Sequence, residues 1–323
     1  MGNASWHDLV IRAARKIPPI ARLHDDRNAL AGKLAALQAR NAAADAARSG
    51  QPEAARPELL FDYPYAPRVR SWDDMRGGNI YRRMLEPGTG RYTELLRSFL
   101  AYSAAFTAIS ADEPRDERQP HWKNPWLPIL DAICLSGLVT RLNPRLYVEV
   151  GSGNSTKYVR RAISDHGLRT RVISIDPYPR AVIDELCDEI IRKELENCDL
   201  GLFAGLGAED VVFIDNSHRS FQNSDVTVFF TEILPLLKSG CHYGIHDIFL
   251  PNDYPQAWLS RLYNEQYLLM MYLLGGANGD EIVLPVHYVE QTPALLAVLD
   301  PLLSDPALGG AMALGGAFWM KRR

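Results

Sequence analysis

The sequence predicts an α/β protein with a doubly wound, mostly parallel sheet, preceded by a helical N-terminal extension. From residue 129 onward, short runs rich in β-branched and aromatic residues alternate with longer apolar segments of helical length. Several of the short runs end in a glycine turn or a carboxylate, as buried strands do where they meet a loop. This alternation is typical of parallel strands that helices cover on both faces.

The first 50 residues are rich in Ala and Arg, and this composition predicts the helical extension. Leu23, Leu30 and Leu37 recur at seven-residue spacing, which is typical of a short coiled coil that would join two copies of the chain. A solvated Ala-rich helix docked on its own domain fits the same residues. A homodimer formed through this helix is therefore one of two expectations.

Two regions follow the extension. Residues 51–121 read as a connector and accessory segment, proline-rich at first and then carrying a predicted helix over 92–106. Residues 122–323 are expected to form the compact domain. Its predicted strands are 146–150, 172–176, 190–195, 210–215, 241–245, 281–289 and 317–321. Its predicted helices are 129–142, a segment beginning near 154, 181–187, 226–237, 264–274 and 294–302.

The composition indicates an ordinary soluble protein, with 47% hydrophobic and 23% charged residues in 323. The net charge of −4 gives no sign of a nucleic-acid partner. No apolar run reaches the length of a membrane span, and the N-terminus lacks a signal-peptide core. The four cysteines are too widely spaced to suggest a zinc site or a disulfide framework. We expect a cytoplasmic protein without nucleic-acid or membrane partners.

The segment 146–156 carries the clearest functional signal. Its buried strand ends in Gly151-Ser-Gly153, where small residues allow a tight turn and the close approach of a ligand to the backbone. Polar residues that cap helices follow directly, among them Ser155. A strand, a glycine turn and a helix N-terminus together form a cradle for a nucleotide at the carboxyl end of the strand.

Three residues narrow the kind of nucleotide. Thr156 occupies the place where a dinucleotide fingerprint needs its third glycine. Glu149 precedes the turn and suits a cationic or amino-acid-bearing ligand better than a pyrophosphate. Asp176 ends the next predicted strand, where a carboxylate accepts hydrogen bonds from ribose hydroxyls.

In these residues the chain resembles the class I S-adenosylmethionine-dependent methyltransferases, whose first motif is an acidic residue followed by Gly-x-Gly. The resemblance covers residues 122–323 and is closest to a bacterial group of methyltransferase-like proteins. The matching blocks are Asn124–Trp126, Glu149–Thr156, Ile175–Pro177, Phe213–His218, Asn223–Thr227, His246–Pro255 and Asn264–Tyr267.

The resemblance implies a Rossmann-like sheet of seven strands with an antiparallel terminal strand, and S-adenosylmethionine as the cofactor. It implies that Glu149, Gly151 and Gly153, with Ser155 beside them, bind the cofactor's methionine end. It assigns the ribose to Asp176.

Further candidates lie at the carboxyl ends of the next strands. Asp215 and Asp247 end adjacent predicted strands, and two carboxylates on one face favour a hard cation such as Mg²⁺. His218 follows three residues after Asp215, in a loop where a general base would be needed. Methyl transfer to oxygen requires a deprotonated hydroxyl in line with the methyl group, and a metal or a histidine can supply it.

The resemblance sharpens these assignments. Metal-dependent O-methyltransferases of small molecules and sugars often show Asp-x-x-His at the fourth strand and an acidic pair at the fifth. Asp215 and His218 match the first part, whereas His246 replaces the first acid of the pair. Imidazole suits Mn²⁺ better than Mg²⁺. We expect either a divalent cation, Mg²⁺ or Mn²⁺, on Asp215, Asp247 and His246, or a metal-free pairing of His246 with Asp247.

The loop after the fifth strand is rich in proline and aromatic residues. Asp253, Tyr254 and Trp258 are candidates for a substrate lid, because aromatic faces suit sugar or phenolic rings and a carboxylate binds hydroxyls. A proline-stiffened loop whose aromatics pack on the domain is the structural alternative. Arg219 could anchor an anionic substrate group or form a surface ion pair.

Together these observations predict an S-adenosylmethionine-dependent methyltransferase that acts on a hydroxyl of a small molecule or glycan precursor, with His218 and Asp215 as catalytic residues. A NAD-linked oxidoreductase is disfavoured by Thr156 and by the lack of an evident Tyr-x-x-x-Lys pair. A non-catalytic protein that keeps the methyltransferase fold for binding or assembly is the other alternative.

Overall fold

The computed structural model describes residues 65–323, and residues 66–323 form one compact unit built on a seven-stranded sheet. The helical extension, its heptad leucines and the dimer expected from them lie outside the described residues. The strands are β1 (Leu146–Val150), β2 (Arg171–Ile175), β3 (Glu189–Ile191), β4 (Asp210–Ile214), β5 (His242–Ile245), β6 (Glu281–Pro285) and β7 (Phe318–Lys321).

The strand order across the sheet is β3-β2-β1-β4-β5-β7-β6. The first five strands in this order pair in parallel, and β7 runs antiparallel to both of its neighbours. The register aligns Val150 with Ile175 on one side and with Ile214 on the other, and Ile214 with Ile245. The loops that follow these four residues therefore leave the sheet side by side at one edge. The predicted fold class is confirmed.

Helices cover both faces of the sheet. Within residues 65–323 none is long and apolar enough to cross a membrane. The helices are α1 (Ile80–Leu85), α2 (Thr89–Phe99), α3 (Ser103–Thr107), α4 (Ile129–Leu142), α5 (Asn154–His166), α6 (Gly201–Ala204), α7 (Asp225–Val228), α8 (Leu234–Leu236), α9 (Glu265–Leu274), α10 (Val286–Glu290), α11 (Pro293–Leu296) and α12 (Asp300–Leu303), with a π-helical turn (Phe229–Ile233) between α7 and α8 and a 3-10 helix (Gln256–Arg261) before α9.

Helix α2 packs into the same core as the sheet. Phe99 lies against α4 so closely that a β-carbon on Gly137 would stand 2.5 Å from its ring. Tyr92 contacts Tyr288 edge to face, with 6.4 Å between ring centroids. The helical part of the accessory segment is thus part of the hydrophobic core.

Three predicted elements differ from the structure. The strand expected over 190–195 is shorter and spans Glu189–Ile191. The helix expected over 181–187 is only a short 3-10 turn (Asp184–Leu186), because β3 begins at Glu189 and leaves too little chain for a helix. The strand expected over 281–289 ends at Pro285, and the chain continues as α10. Proline has no N–H to donate to the next ladder position, so it favours a strand end there.

Candidate active site

The glycine turn after β1 lies against the chain that leaves β4. Gly151 has φ +77°, a left-handed conformation that favours glycine, and its N–H donates to the Ile175 carbonyl at 2.9 Å. A β-carbon at this position would stand 1.8 Å from the Asp215 carbonyl oxygen. The turn therefore ties together the carboxyl ends of the three central strands, and only glycine fits.

Glu149 stabilises the glycine turn through buried hydrogen bonds. Its fully buried carboxyl group accepts hydrogen bonds from the hydroxyls of Tyr147 (2.8 Å) and Thr156, and Thr156 Oγ1 accepts from the Gly153 N–H at 3.1 Å. Burial raises the pKa of Glu149 to about 7, although hydrogen bonds from Ser155, Thr156 and Tyr147 oppose this shift. The side chains of Glu149 and Ser155 are both buried, and their predicted contact with the cofactor stays a prediction.

Asp176 lies beside the turn, immediately after β2. Its two carboxylate oxygens accept hydrogen bonds from the backbone N–H groups of Ser152 and Tyr178, each at 2.8 Å. The residue is partly exposed, and each carboxylate oxygen has a further lone pair. The carboxylate is thus held rigidly next to the glycine turn and still has capacity to accept hydrogen bonds from a ligand.

His218 is held among three carboxylates in the loop after β4. Its Nδ1 lies 2.9 Å from Glu265 Oε2, at the start of α9. Its Nε2 lies 3.3 Å from Asp215 Oδ1 and 3.3 Å from Asp247 Oδ2. His218 and Asp247 both have positive φ, 57° and 56°, although neither is glycine. Such strained residues cluster at functional sites.

His246 forms the second half of this arrangement. Its Nδ1 lies 3.2 Å from Asp215 Oδ1 and 3.6 Å from Asp247 Oδ1. Its Nε2 lies 3.2 Å from Oδ2 of Asp131, a buried residue of α4. Asp131 also accepts two backbone hydrogen bonds at 2.7 Å from the chain just before β7, beginning at Gly316. Both imidazole rings are therefore fixed between carboxylates.

The facing carboxylates decide the charge of these rings. Burial alone lowers the pKa of His218 and His246, but the neighbouring carboxylates raise both values well above the ordinary range. Burial favours a higher pKa for Asp215, yet His246 and His218 lower it. These shifts favour the cationic form of both rings and the ionised form of Asp215. We call the following residues the acid–histidine cluster: Asp131, Asp215, His218, His246, Asp247 and Glu265.

The comparison with known families agrees with this topology. Residues 148–248, from β1 to the loop after β5, match a family model described as a methyltransferase domain. This stretch of the chain is therefore similar to a methyltransferase domain. The matched span contains the glycine turn, Asp176 and both histidines of the acid–histidine cluster, whereas Asp131 and Glu265 lie outside it.

Solved structures with a similar fold are distant in sequence. The O-methyltransferase TomG from Streptomyces achromogenes, in complex with SAM, is 17% identical, with a TM-score of 0.39 over 69% of this chain and 96% of that one. The O-methyltransferase from Bacillus cereus, in complex with SAH, is 16% identical, with a TM-score of 0.35 over 71% and 91%. The Podospora anserina methyltransferase PaMTH1, bound to SAH, is 13% identical, with a TM-score of 0.38 over 59% and 77%. Among curated proteins none matches.

The glycine turn has an open side and unused polar groups. No atom lies within 4 Å of a β-carbon built on Gly153, so the outer side of the turn is open. The side-chain Nδ2 of Asn216 is buried without a hydrogen-bond partner, and its backbone N lies 3.5 Å from the β-carbon position of Gly151. An open turn, a fixed carboxylate on Asp176 and an unused amide donor suit a nucleoside with a polar tail.

A metal site on Asp215, Asp247 and His246 does not fit the arrangement of these side chains. Both nitrogens of His246 face carboxylates, so neither has a lone pair directed at a cation. His218 likewise bridges Asp215 and Asp247. Within residues 65–323 no group of three or more His, Cys, Asp or Glu residues could hold a metal ion.

Two residues predicted to contact the substrate instead hold the loop after β5 together. Asp253 accepts hydrogen bonds from the backbone N–H of Arg70 (2.9 Å) and the hydroxyl of Tyr267 (2.7 Å). The Tyr254 hydroxyl accepts from the N–H of Gln266 at 3.0 Å. Both Asp253 and Tyr254 are buried. Their polar atoms form hydrogen bonds inside the loop, and their contact with a substrate stays a prediction.

Trp258, the third lid candidate, is placed differently. It is half-buried in the 3-10 helix before α9 and packs edge to face on Phe249, with 5.1 Å between ring centroids. The guanidinium of Arg261 lies over its other side, 3.8 Å from the ring centroid. The role of Trp258 toward a substrate stays a prediction.

Two members of the acid–histidine cluster had no role assigned from the sequence. Asp131 is the one acid in the apolar helix α4, and a lone carboxylate in a buried helix is itself a signal of a buried partner. Glu265 lies in the block Asn264–Tyr267, which the family resemblance includes without a function. Its Oε1 is buried without a hydrogen-bond partner.

Proposed function

We propose that the protein is an S-adenosylmethionine-dependent methyltransferase that transfers the methyl group to a hydroxyl of a small molecule or sugar. One observation carries the proposal. The glycine turn that would hold the cofactor is pressed against the backbone of Asp215, whose side chain belongs to the acid–histidine cluster. The cofactor cradle and the ionisable groups thus share one edge of the sheet.

In this proposal the backbone of the glycine turn supports the methionine end of the cofactor. Gly151 keeps the turn close to β4, and Gly153 leaves room for the ligand. Asp176 binds the ribose hydroxyls through its remaining lone pairs. Glu149 and Ser155 act indirectly, because their side chains hold the turn from below. S-adenosylmethionine supplies an electrophilic methyl group on a positively charged sulfur when it is bound.

The acid–histidine cluster then receives the proton of the acceptor. A hydroxyl oxygen that attacks the methyl carbon breaks the C–S bond and loses its proton. His218 is held as a cation between three carboxylates, so it has no free lone pair for this proton. Asp215 is ionised and is the more exposed of the two carboxylates on His218 Nε2, with 31% of its side chain accessible against 14% for Asp247. We therefore assign proton acceptance to Asp215 and its positioning to His218.

This assignment bears on the acceptor. A carboxylate whose pKa is lowered by two histidines is a weak base. It assists best when the acceptor hydroxyl is already acidic, as a phenolic hydroxyl is, with an ordinary pKa of about 10. Among hydroxyl acceptors, a phenol fits the site better than an unactivated sugar alcohol.

The experiment supplies S-adenosylmethionine carrying a ¹³C-methyl group to the full-length protein, together with pooled phenols and sugars. Wild type and Asp215→Asn are compared, and binding of S-adenosylhomocysteine to each is measured in parallel. We expect ¹³C-methoxy signals from wild type and at least a roughly hundredfold lower rate from Asp215→Asn, with cofactor binding retained. Labelled N-methyl or C-methyl products would overturn O-methylation. No labelled product from a protein that binds S-adenosylhomocysteine would favour the non-catalytic alternative.

A further inference from the structure

We propose that Arg219 and Arg261 form an oxyanion-binding subsite, so that the methyl acceptor carries a carboxylate or phosphate group in addition to its hydroxyl. This inference rests on the proposed function, because it identifies the class of substrate that the same site accepts. Four observations support it: the free guanidinium of Arg261, the fixed position of Arg219, the aromatic surface beneath both, and the distance to His218.

Arg261 keeps its hydrogen-bond donors unused within residues 65–323. No ion pair joins it to a carboxylate in the described part of the chain, and its guanidinium donates no hydrogen bond there. It lies flat enough over Trp258 to place its central carbon 3.8 Å from the ring centroid. The residue ends the 3-10 helix, and Leu262 follows with φ +55°. Its planar donor face is therefore held in place and remains unused.

Arg219 is fixed by carbonyl groups and has no acid partner among residues 65–323. Its Nε donates to the Arg261 carbonyl at 2.8 Å, and one terminal nitrogen donates to the Ser217 carbonyl at 3.3 Å. Its guanidinium lies 5.1 Å from the centroid of Tyr263, and that of Arg261 lies 5.6 Å from the same centroid. Neutral carbonyls orient Arg219 without neutralising its charge. The two cations thus converge on one tyrosine.

The subsite adjoins the acid–histidine cluster. The rings of Tyr263 and His218 are 4.7 Å apart between centroids, and His218 Nε2 is 3.3 Å from Asp215. Within residues 65–323 neither arginine forms an ion pair with a carboxylate of the cluster, whereas both histidines do. A negative centre and a positive centre therefore lie side by side, separated by one aromatic ring.

This charge pattern indicates the chemistry of the ligand. Guanidinium groups bind carboxylates and phosphates through paired, charge-assisted hydrogen bonds. Arg219, Arg261, Trp258 and Tyr263 are all half-buried, so a bound oxyanion would be partly shielded from water and salt. The aromatic faces of Trp258 and Tyr263 suit a flat ring that carries the oxyanion. The hydroxyl of the same molecule would reach Asp215.

The test titrates the full-length protein with sodium benzoate, benzamide and inorganic phosphate by calorimetry, in the presence of saturating S-adenosylhomocysteine. Benzamide has the shape of benzoate without its charge. The variants are Arg261→Gln, Arg261→Lys, Arg219→Gln and the control Arg141→Gln, which alters an exposed residue at the end of α4, just before β1 begins. Melting temperatures check that each variant is folded.

We expect saturable binding of benzoate or phosphate to wild type and to Arg141→Gln, with benzamide at least roughly tenfold weaker. Arg261→Gln and Arg219→Gln should each weaken oxyanion binding roughly tenfold, and Arg261→Lys should restore part of it. Saturable binding of benzoate alone would indicate that the substrate carries a carboxylate, and saturable binding of phosphate alone would indicate that it carries a phosphate. Equal binding by wild type and the two Gln variants, or no saturable binding of either anion, would overturn the subsite. Because S-adenosylhomocysteine is titrated separately, its failure to bind would count against the proposed function alone.

Discussion

Gly151 and Asp215 approach each other so closely that a β-carbon on Gly151 would stand 1.8 Å from the Asp215 carbonyl oxygen. The glycine also has φ +77°. Replacing it with Ala should therefore strain the backbone and separate β1 from the chain after β4. We expect Gly151→Ala to lower the free energy of unfolding by about 3 kcal/mol, measured by urea denaturation.

Gly153 gives the matched control within the same turn. Its φ of 178° is extended backbone, and nothing lies within 4 Å of an added β-carbon. Gly153→Ala should leave the midpoint of urea unfolding nearly unchanged. It should weaken the binding of S-adenosylhomocysteine roughly tenfold or more, because the added methyl group would occupy the ligand's space. Equal effects of the two substitutions on stability would contradict this division of roles.

Glu149 should make stability depend on pH. Its pKa is about 7 in the folded protein against 4.5 for a free side chain, so the folded state holds a proton that the unfolded state loses. The stabilisation from this group is complete below pH 4.5 and is lost as the pH rises through 7. Glu149→Gln should remove this loss, which is on the order of 3 kcal/mol for a shift of this size. Urea denaturation at pH 5 and pH 8 measures it, and an unchanged pH dependence in the variant would be the contrary result.

His218 should remain protonated through neutral pH. Carboxylates of Asp247, Asp215 and Glu265 raise its pKa well above the ordinary value in spite of burial. Stability from this group is therefore present below about pH 6.5 and declines only as the pH rises through the higher folded pKa. We expect ¹⁵N NMR, with His218→Gln for assignment and the exposed His166 as control, to show both ring nitrogens protonated between pH 6 and 8. A midpoint at or below 6.5 would restore His218 as the general base.

Asp253 should matter for stability. Its carboxylate holds the N–H of Arg70, the N–H of Tyr254 and the hydroxyl of Tyr267. Asp253→Ala leaves these donors without their acceptor and should cost about 2 kcal/mol of unfolding free energy, whereas Asp253→Asn should cost less. A fully stable Asp253→Ala protein that loses only acceptor turnover would return this residue to the substrate site.

The sequence predicts those parts of the fold that depend on local patterns. The buried strands β1, β4 and β5 and the helix α4 are found within one or two residues of their predicted bounds, because apolar runs and flanking turn residues specify them. The end of β6 is a case that the apolar pattern misses. The run over 281–289 looks like one continuous strand, but Pro285 has no N–H for the sheet and the strand ends there.

The candidate site is only partly predictable for a different reason. Asp215, His218 and His246 could be placed at one edge because parallel strands end together. The charges of these side chains could not be predicted from the sequence. They depend on Asp131 and Glu265, which belong to helices far away in sequence. The complete burial of Glu149 likewise depends on packing that its place in the sequence does not show.

Calorimetric titration of the purified, ligand-free protein with S-adenosylhomocysteine tests the central claim most directly, with Asp176→Ala as the matched variant. We expect one site per chain with a dissociation constant on the order of micromolar. Asp176→Ala should raise this dissociation constant at least roughly tenfold. Added Mg²⁺ or Mn²⁺ should leave the affinity unchanged, because the histidines engage the carboxylates. No binding to a folded protein shown to be free of carried-over cofactor would contradict the account and leave the domain without its proposed cofactor.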